Sequence, residues 1–264
     1  MATTGIVSVT HWRSDGEAHA DDIIAGETPI AMTYNKQSHV VMMATPADLE
    51  DFALGFSLTE GLVRSPDELL QVRAIPREAG IEVAMTVKPE CVERIDGQRR
   101  NLTGRTGCGL CGAETLEQAV RYPEAVGHRL QVRHAALQAA IEGLSARQPL
   151  QAATGAVHCA VWCGPEGDIR AAREDVGRHN ALDKLIGHLF RTGRDPRDGF
   201  ALVSSRASYE MVYKAAAAGM ELLAAVSAPT TLAVEFARHS GMTLIGFVRP
   251  GRHNIYSGPE RITS

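Results

Sequence analysis

Gly199-Phe-Ala-Leu-Val-Ser-Ser-Arg-Ala-Ser-Tyr-Glu-Met-Val-Tyr-Lys-Ala-Ala-Ala-Ala-Gly-Met-Glu-Leu-Leu-Ala-Ala-Val-Ser-Ala-Pro-Thr-Thr231 carries the pattern on which the reading of the whole chain turns. An apolar run, Gly199–Ser204, ends in a hydroxyl-rich loop. A helical stretch, Tyr209–Gly219, follows, and a second apolar run, Leu222–Ser227, ends in a second hydroxyl-rich loop. Short apolar runs bounded by turn residues predict strands, and Ala215–Ala218 is a helix-favouring run between two of them. The alternation extends in both directions. Strands are expected over Ala156–Cys163, Ile169–Arg173 and Thr243–Val248, and helices over His179–Arg191 and Thr231–His239. Repeated alternation of this kind predicts an α/β fold, a layered sheet with helices on both faces. Loops that follow strands are where open α/β sheets take ligands, although each such loop alone is an ordinary helix cap.

Upstream the pattern is looser. Residues 1–26 read as a mobile N-terminal arm with one short strand at Gly5–Thr10. Residues 27–105 read as a smaller N-terminal αβ unit with a polar linker. In it Thr28–Tyr34 and Ser38–Met43 pair as strands, Pro46 opens a helix with Thr45 as its cap, and Leu49, Phe52, Ala53, Phe56 and Leu58 form that helix's core face. Gly61 ends the helix, strands follow at Leu70–Ile75 and Gly80–Val87, and Asp96–Arg105 is a polar, basic connection. Residues 106–264 are the α/β core. It starts with a Cys-x-x-Cys loop and continues through helices at Glu114–Tyr122 and His134–Ala146.

Composition narrows the function classes. The chain has 264 residues, 44% of them hydrophobic and 22% charged, which suffices for a full core. Its net charge of −4 (31 acidic against 27 basic residues) disfavours a nucleic-acid-binding role, so an anionic partner must be met by local basic clusters. No apolar run reaches the length of a membrane span, and the start lacks the basic-then-apolar order of a secretory signal, so cytoplasm is the expected compartment. There the five cysteines are expected reduced, and a Cys-x-x-Cys means metal or thiol chemistry.

That pair lies in Thr106-Gly-Cys-Gly-Leu-Cys-Gly-Ala-Glu-Thr-Leu116. Gly107, Gly109 and Gly112 leave Cys108 and Cys111 without bulky neighbours on a hinge-like loop, and a helix starting nearby would favour thiolate. Three readings stand. A structural zinc site would recruit Cys159, Cys163 and His158. However, Cys159 and Cys163 fall at either end of one strand, about 14 Å apart at ~3.3–3.4 Å per residue, too far for one zinc with Zn–S bonds of about 2.3 Å. A thioredoxin-like redox pair lacks its aromatic and proline neighbours. A nucleophilic thiol that accepts sulfur as a persulfide needs only an exposed, low-pKa sulfur on a movable loop.

A second constellation, Arg173-Glu-Asp-Val-Gly-Arg-His-Asn-Ala-Leu-Asp-Lys184, reads either as a capped helix with an exposed ion pair or as a ligand-binding turn at a strand end. In the tail, Arg249 and Arg252 flank Pro250-Gly251, a turn that could set two guanidinium groups on a diphosphate. Deamination is disfavoured, because His158-Cys-Ala160 lacks the glutamate that zinc deaminases carry two residues after the histidine.

From about Thr28 to Tyr256 the chain resembles the formate dehydrogenase accessory sulfurtransferase family. The resemblance rests on Gly107–Gly112, Thr154-Gly-Ala-Val-His-Cys-Ala160, Glu174–Lys184, Ser205–Glu210, Ser227–Thr230 and the Gly246–Tyr256 tail. Ala156 departs from it, standing where a second glycine is expected. The resemblance implies a cytidine-deaminase-like core and a cytoplasmic sulfur carrier acting through a cysteine persulfide. Such a carrier passes sulfur from a cysteine desulfurase to the molybdenum bis(pterin guanine dinucleotide) cofactor before that cofactor enters formate dehydrogenase. It implies Cys108 as the persulfide carrier, Cys111 as its partner, and Phe247, Val248, Arg249, Pro250, Gly251 and Arg252 as cofactor contacts. The molybdenum cofactor is then a bound client, with no permanent cofactor or metal expected. Arg178 and Arg206 are further candidates for its phosphates. A homodimer is one expected assembly. The competing reading is a zinc-clamped chaperone that binds the cofactor without transferring sulfur.

Overall fold

A computed structural model describes residues 1–102 and 122–264, with side chains for 1–98 and 122–264. The core is a six-stranded mixed sheet of β8 (His158–Cys163), β9 (Ile169–Asp175), β10 (Phe200–Val203), β11 (Leu222–Ala225), β12 (Thr243–Arg249) and β13 (Arg252–Ser257), in the order β13-β12-β11-β10-β8-β9. Strands β10, β11 and β12 run parallel; β8 and β13 flank them antiparallel. The helices α5 (Arg178–Arg191), α6 (Tyr209–Ala217) and α7 (Thr231–Ser240) pack on one face, around Ala160, Trp162, Ala201, Val203 and Leu223. Helix α3 (His134–Leu144) covers the other, over Cys159, Val161, Cys163, Leu202, Ala224 and Val248. The inner strands β8, β10, β11 and β12 bury side chains on both faces, so each reads as a continuous apolar run and not as an alternation.

The smaller unit is a four-stranded sheet, β3 (Thr28–Tyr34), β4 (Gln37–Ala44), β5 (Leu69–Arg77) and β6 (Gly80–Val87), ordered β4-β3-β6-β5. Asn35 and Lys36 take positive φ in the tight β3–β4 turn. Helix α1 (Leu49–Thr59) packs Phe52 and Phe56 onto Ile30, Met32 and Val83 and lays its other side on α5. At that crossing the backbones touch. A Cβ on Gly55 would lie 1.8 Å from Asp183 O, and one on Gly187 would lie 1.8 Å from Asp51 O. Gly187→Ala is therefore expected to destabilise by about 2–3 kcal/mol, despite alanine's ~1 kcal/mol helix advantage, because the two helices must separate; denaturant unfolding midpoints test this.

Several local expectations are corrected. The first 26 residues hold not one short strand but a hairpin, β1 (Thr4–Arg13) with β2 (Gly16–Ala25), paired from Thr4↔Ala25 to Arg13↔Gly16. Helix α1 begins at Leu49, with Asp48 left-handed before it, and Thr45 does not cap it. Thr45 Oγ1 instead accepts from Val176 N at 3.1 Å. Asp96–Leu102 is not a free connection but the end of α2 (Val92–Leu102), held by Arg94 on Glu68 (2.5 Å) and by Gln98 Nε2 donating to Glu60 O (2.7 Å). Helix α4 (Pro149–Thr154) and strand β13 had no counterpart in the sequence reading, nor did two short strands. The short strands β7 (Val132–Arg133) and β14 (Ile262–Thr263) pair in parallel and tie the C-terminal end down.

Candidate ligand shelf at the carboxyl edge of the core sheet

The carboxyl ends of β10, β11 and β12 open onto loops that backbone hydrogen bonds lay side by side. Val226 N donates to Val203 O (2.9 Å), Ser227 N to Ser205 O (3.3 Å), Thr230 N to Ala207 O (3.0 Å) and Phe247 N to Ser227 O (3.1 Å). On the far side Ser204 N donates to Cys159 O and Cys159 N to Ser204 Oγ, both at 2.9 Å. The result is a continuous shelf running from His158 and Arg178, past Ser205, Arg206 and Ser227, to the β12–β13 turn.

At that turn the register shifts between Gly246 and Arg249, and Phe247 sits in the bulge at φ 52°, 39% exposed. Bulges re-aim side chains, and a bulky residue held left-handed is a strained feature of the kind that clusters at functional sites. Gly246 beneath it has no room for a side chain, since a Cβ would lie 2.7 Å from Pro229. Arg249 and Arg252 are directly paired across Pro250-Gly251, with Gly251 at φ 79°. Like charges directly opposite each other are unfavourable unless an anion lies between them. Arg249 is tethered by donating to Val226 O and Val248 O. Of the six residues expected here, Val248 is fully buried in the core, so it offers the shelf its backbone and not its side chain.

The turn is anchored by residues that the sequence reading missed. Gly251 N donates to Gln138 Oε1 (2.7 Å), Gln138 Nε2 meets His253 Nδ1 (3.2 Å), and His253 Nε2 meets His134 Nδ1 (2.9 Å). His134 and Gln138 lie one helical turn apart, so one face of α3 holds both; that i, i+4 spacing was the available signal. Burial, and then His134, push the His253 pKa down. Burial leads the same downward shift at His158, with Arg178 next, and at His188, with Arg173 next. A histidine whose folded pKa lies below its unfolded value favours folding when neutral. Stability should therefore be full above pH ~6.5 and decline as pH falls below it. Thermal melts from pH 8 to 5 should show that decline, and it should be shallower in His253→Gln.

The Arg173–Lys184 run divides in two. Asp175, Asn180, Asp183 and Lys184 are buried and make no ligand site. Lys184 Nζ lies 2.7 Å from Asp175, and Lys214 Nζ lies 2.9 Å from Asp183. Through Thr45 and Thr59 these pairs join the core to the smaller unit. Asp51 likewise holds Arg173 and Arg191, each at 2.6 Å. These residues fit neither of the readings left open for the run, an exposed ion pair or a ligand turn: they are a buried seam. Arg178 and His179 alone face the shelf, with His179 2.8 Å from Glu210.

Cys108 and Cys111 lie outside the described residues, as does the expected helix from Glu114. On the near side of that segment Tyr122 stacks on Phe236 and donates to Glu235 at 2.5 Å. Cys91, Cys159 and Cys163 are buried and free. Burial pushes the thiols of Cys159 and Cys163 up to about 12, so neither is a ready thiolate. Both face α3, whereas His158 shares the parity of Ala160 and Trp162, which face α5 to α7. His158 and the two cysteines therefore do not converge on one metal position. Among the described residues no group of three or more His, Cys, Asp or Glu is arranged to hold a metal ion, and no helix is long and apolar enough to cross a membrane.

An α/β protein with helices on both faces of a mixed sheet, and a cationic, hydroxyl-bearing shelf at its strand ends, is the class that this geometry defines. The pattern of the FdhD/NarQ family matches residues 25–263. A sulfur carrier protein FdhD from Cupriavidus necator is 50% identical over 260 residues, covering 98% of this chain and 90% of that protein. Another, from Bordetella petrii, is 49% identical, covering 94% and 89%. The crystal structure of a provisionally assigned formate dehydrogenase accessory protein from Desulfotalea psychrophila superposes with a TM-score of 0.77 at 25% identity, covering 99% of this chain and all of that one. The chain belongs to the FdhD/NarQ family.

Proposed function

We propose that this chain takes up sulfur as a persulfide on Cys108 and hands it to a guanine-nucleotide-bearing molybdenum cofactor held on the shelf. It is a sulfurtransferase, a sulfur carrier serving formate dehydrogenase maturation. The donor is a cysteine desulfurase, the client cofactor is bis(pterin guanine dinucleotide) molybdenum, and the compartment is the cytoplasm. The layered core is read as cytidine-deaminase-like, put here to work without the deaminase acid/base.

In the first step the Cys108 thiolate attacks the outer sulfur of the donor persulfide. The donor's S–S bond breaks, the donor leaves as a thiolate, and the sulfur now sits on Cys108. No net oxidation occurs. Release by Cys111 attacking Cys108 Sγ would free hydrosulfide and leave a Cys108–Cys111 disulfide, which an external thiol must then reduce. Direct transfer of the outer sulfur to another thiolate is redox-neutral, whereas delivery as sulfide-level sulfur would need two electrons from the acceptor or an external thiol.

The observation that carries the ligand half of this reading is the β12–β13 turn, where an exposed, strained Phe247 stands beside two opposed arginines. An aromatic face with a guanidinium pair suits a purine diphosphate. GDP is thus expected to bind the full chain, and Phe247→Ala to weaken it about tenfold, since base stacking contributes about 1–3 kcal/mol. Calorimetric titration with GDP is the test; unchanged affinity in Phe247→Ala would remove the nucleotide from this turn.

A further inference from the structure

We propose that Gln138, His253 and His134 form a one-directional hydrogen-bond chain that positions the β12–β13 turn for its ligand, and that a proton taken up by the histidine pair breaks the chain, frees the turn and weakens binding. This role rests on the nucleotide reading of the turn and adds the side chains that aim it.

The direction of the chain follows from its first link. A backbone N–H can only donate, so Gly251 N, 2.7 Å from Gln138 Oε1, holds the amide oxygen on its own side and turns Nε2 toward His253. An amide nitrogen also only donates, so His253 Nδ1, at 3.2 Å, is the bare, accepting nitrogen. In a neutral ring the proton then sits on Nε2, which donates to His134 Nδ1 at 2.9 Å. Two neutral imidazoles satisfy every link. A proton added to His253 sets Nδ1–H against the Gln138 amide N–H, and one added to His134 sets Nδ1–H against Nε2–H of His253. Turning the amide over would relieve the first clash but face Nε2 toward Gly251 N. The rings also stack, with centroids 5.0 Å apart, so two positive charges there would repel.

The chain ties the tip of the turn to α3. Arg249 is held from the sheet by Val226 O and Val248 O, whereas Gly251, between the opposed Arg249 and Arg252, has its amide on Gln138. His253 shares the parity of Ile255, which packs in the α3 layer, so it faces α3 and not α7. The charged groups on the elements around the pair are Arg249 on β12, Arg252 on β13, Glu142 one turn beyond Gln138 on α3, and Arg133 on β7, which Glu166 holds. Burial, and then His134, push the His253 pKa down, so its proton enters only below pH ~6.5.

The test is calorimetric GDP affinity at about pH 7.5 and about pH 5, on either side of the ordinary histidine range, in the unmodified chain, His253→Gln and Gln138→Ala. The terminal phosphate of GDP gains its own proton near pH ~6, equally for all three proteins, so the comparison is between proteins. On acidification the unmodified chain is expected to lose about tenfold more affinity than His253→Gln, the scale of one or two hydrogen bonds. Gln138→Ala should bind weakly already at the higher pH and show the smaller loss; alanine at this half-buried helix position should leave the fold intact. Charge alone gives the opposite sign, because imidazolium beside a diphosphate would favour GDP at low pH. In NMR spectra of the ligand-free chain the Gly251 amide resonance should move with the His253 ring titration, and stay in place in His253→Gln. A loss in the unmodified chain equal to or smaller than that in His253→Gln, or a Gly251 amide indifferent to the His253 titration, would overturn the proposal. If GDP binds at neither pH while the Gly251 amide still follows His253, the nucleotide reading of the turn falls and the positioning chain stands.

Discussion

Asp175→Ala is expected to cost about 3–5 kcal/mol of folding stability, as loss of one partner of a buried ion pair does, lowering Tm by roughly 10 °C or more in a chain of this size. Asp175 and Lys184 are both fully buried, 2.7 Å apart. The carboxylate also accepts from Thr45 N (3.0 Å), Gly177 N (2.8 Å) and Asn180 Nδ2 (3.0 Å). Removing it strands one ammonium and three N–H donors at once. Lys184→Met should cost less, because the carboxylate keeps those three donors, although Thr45 O loses its 2.9 Å bond from Nζ. Thermal melts of the two variants check the ordering. If Lys184→Met proved the more damaging, the attraction between the charges, and not the satisfaction of the carboxylate, would be what holds the seam.

The second large effect is chemical. Cys108→Ala is expected to abolish persulfide loading from a cysteine desulfurase while changing GDP affinity less than twofold, because the turn proposed to hold the nucleotide is formed by Gly246–Asn254. Cys111→Ala should still load, and a difference in sulfur release between the two variants would assign the partner thiol its step. Mass spectrometry of each variant after incubation with desulfurase and cysteine reads the result. Sulfur retained on Cys108→Ala would transfer the carrier role to another thiol. Cys91, Cys159 and Cys163 are poor candidates, since burial raises the pKa of each.

The inner strands of the core sheet were legible because they bury both faces and their loops are hydroxyl-rich. Phe200–Val203 and Leu222–Ala225 lie inside the expected runs. The N-terminal hairpin was not, because its strands are largely exposed and mix polar residues among Ile6, Trp12 and Ile23, which hides any period. Strand β13 was hidden for a related reason: Arg252-His-Asn-Ile-Tyr-Ser257 is half polar and gains its strand character only by pairing with β12. The charged run from Arg173 showed a departure from a solvated face but not its cause. Its counterparts, Thr45, Asp51 and Thr59, sit more than a hundred residues earlier, and no local spacing reports such a contact. Likewise Arg249 and Arg252 were visible as a basic turn, while the His134–Gln138–His253 anchor depends on tertiary packing.

The central claim, that Cys108 carries transferable sulfur, is tested most directly by the mass of the unmodified chain after incubation with a cysteine desulfurase and cysteine. The expected result is a gain of one sulfur atom, removable by thiol reductant and mapped to the peptide containing Cys108. A chain that gains no sulfur and instead holds one equivalent of zinc on Cys108 and Cys111 would contradict it.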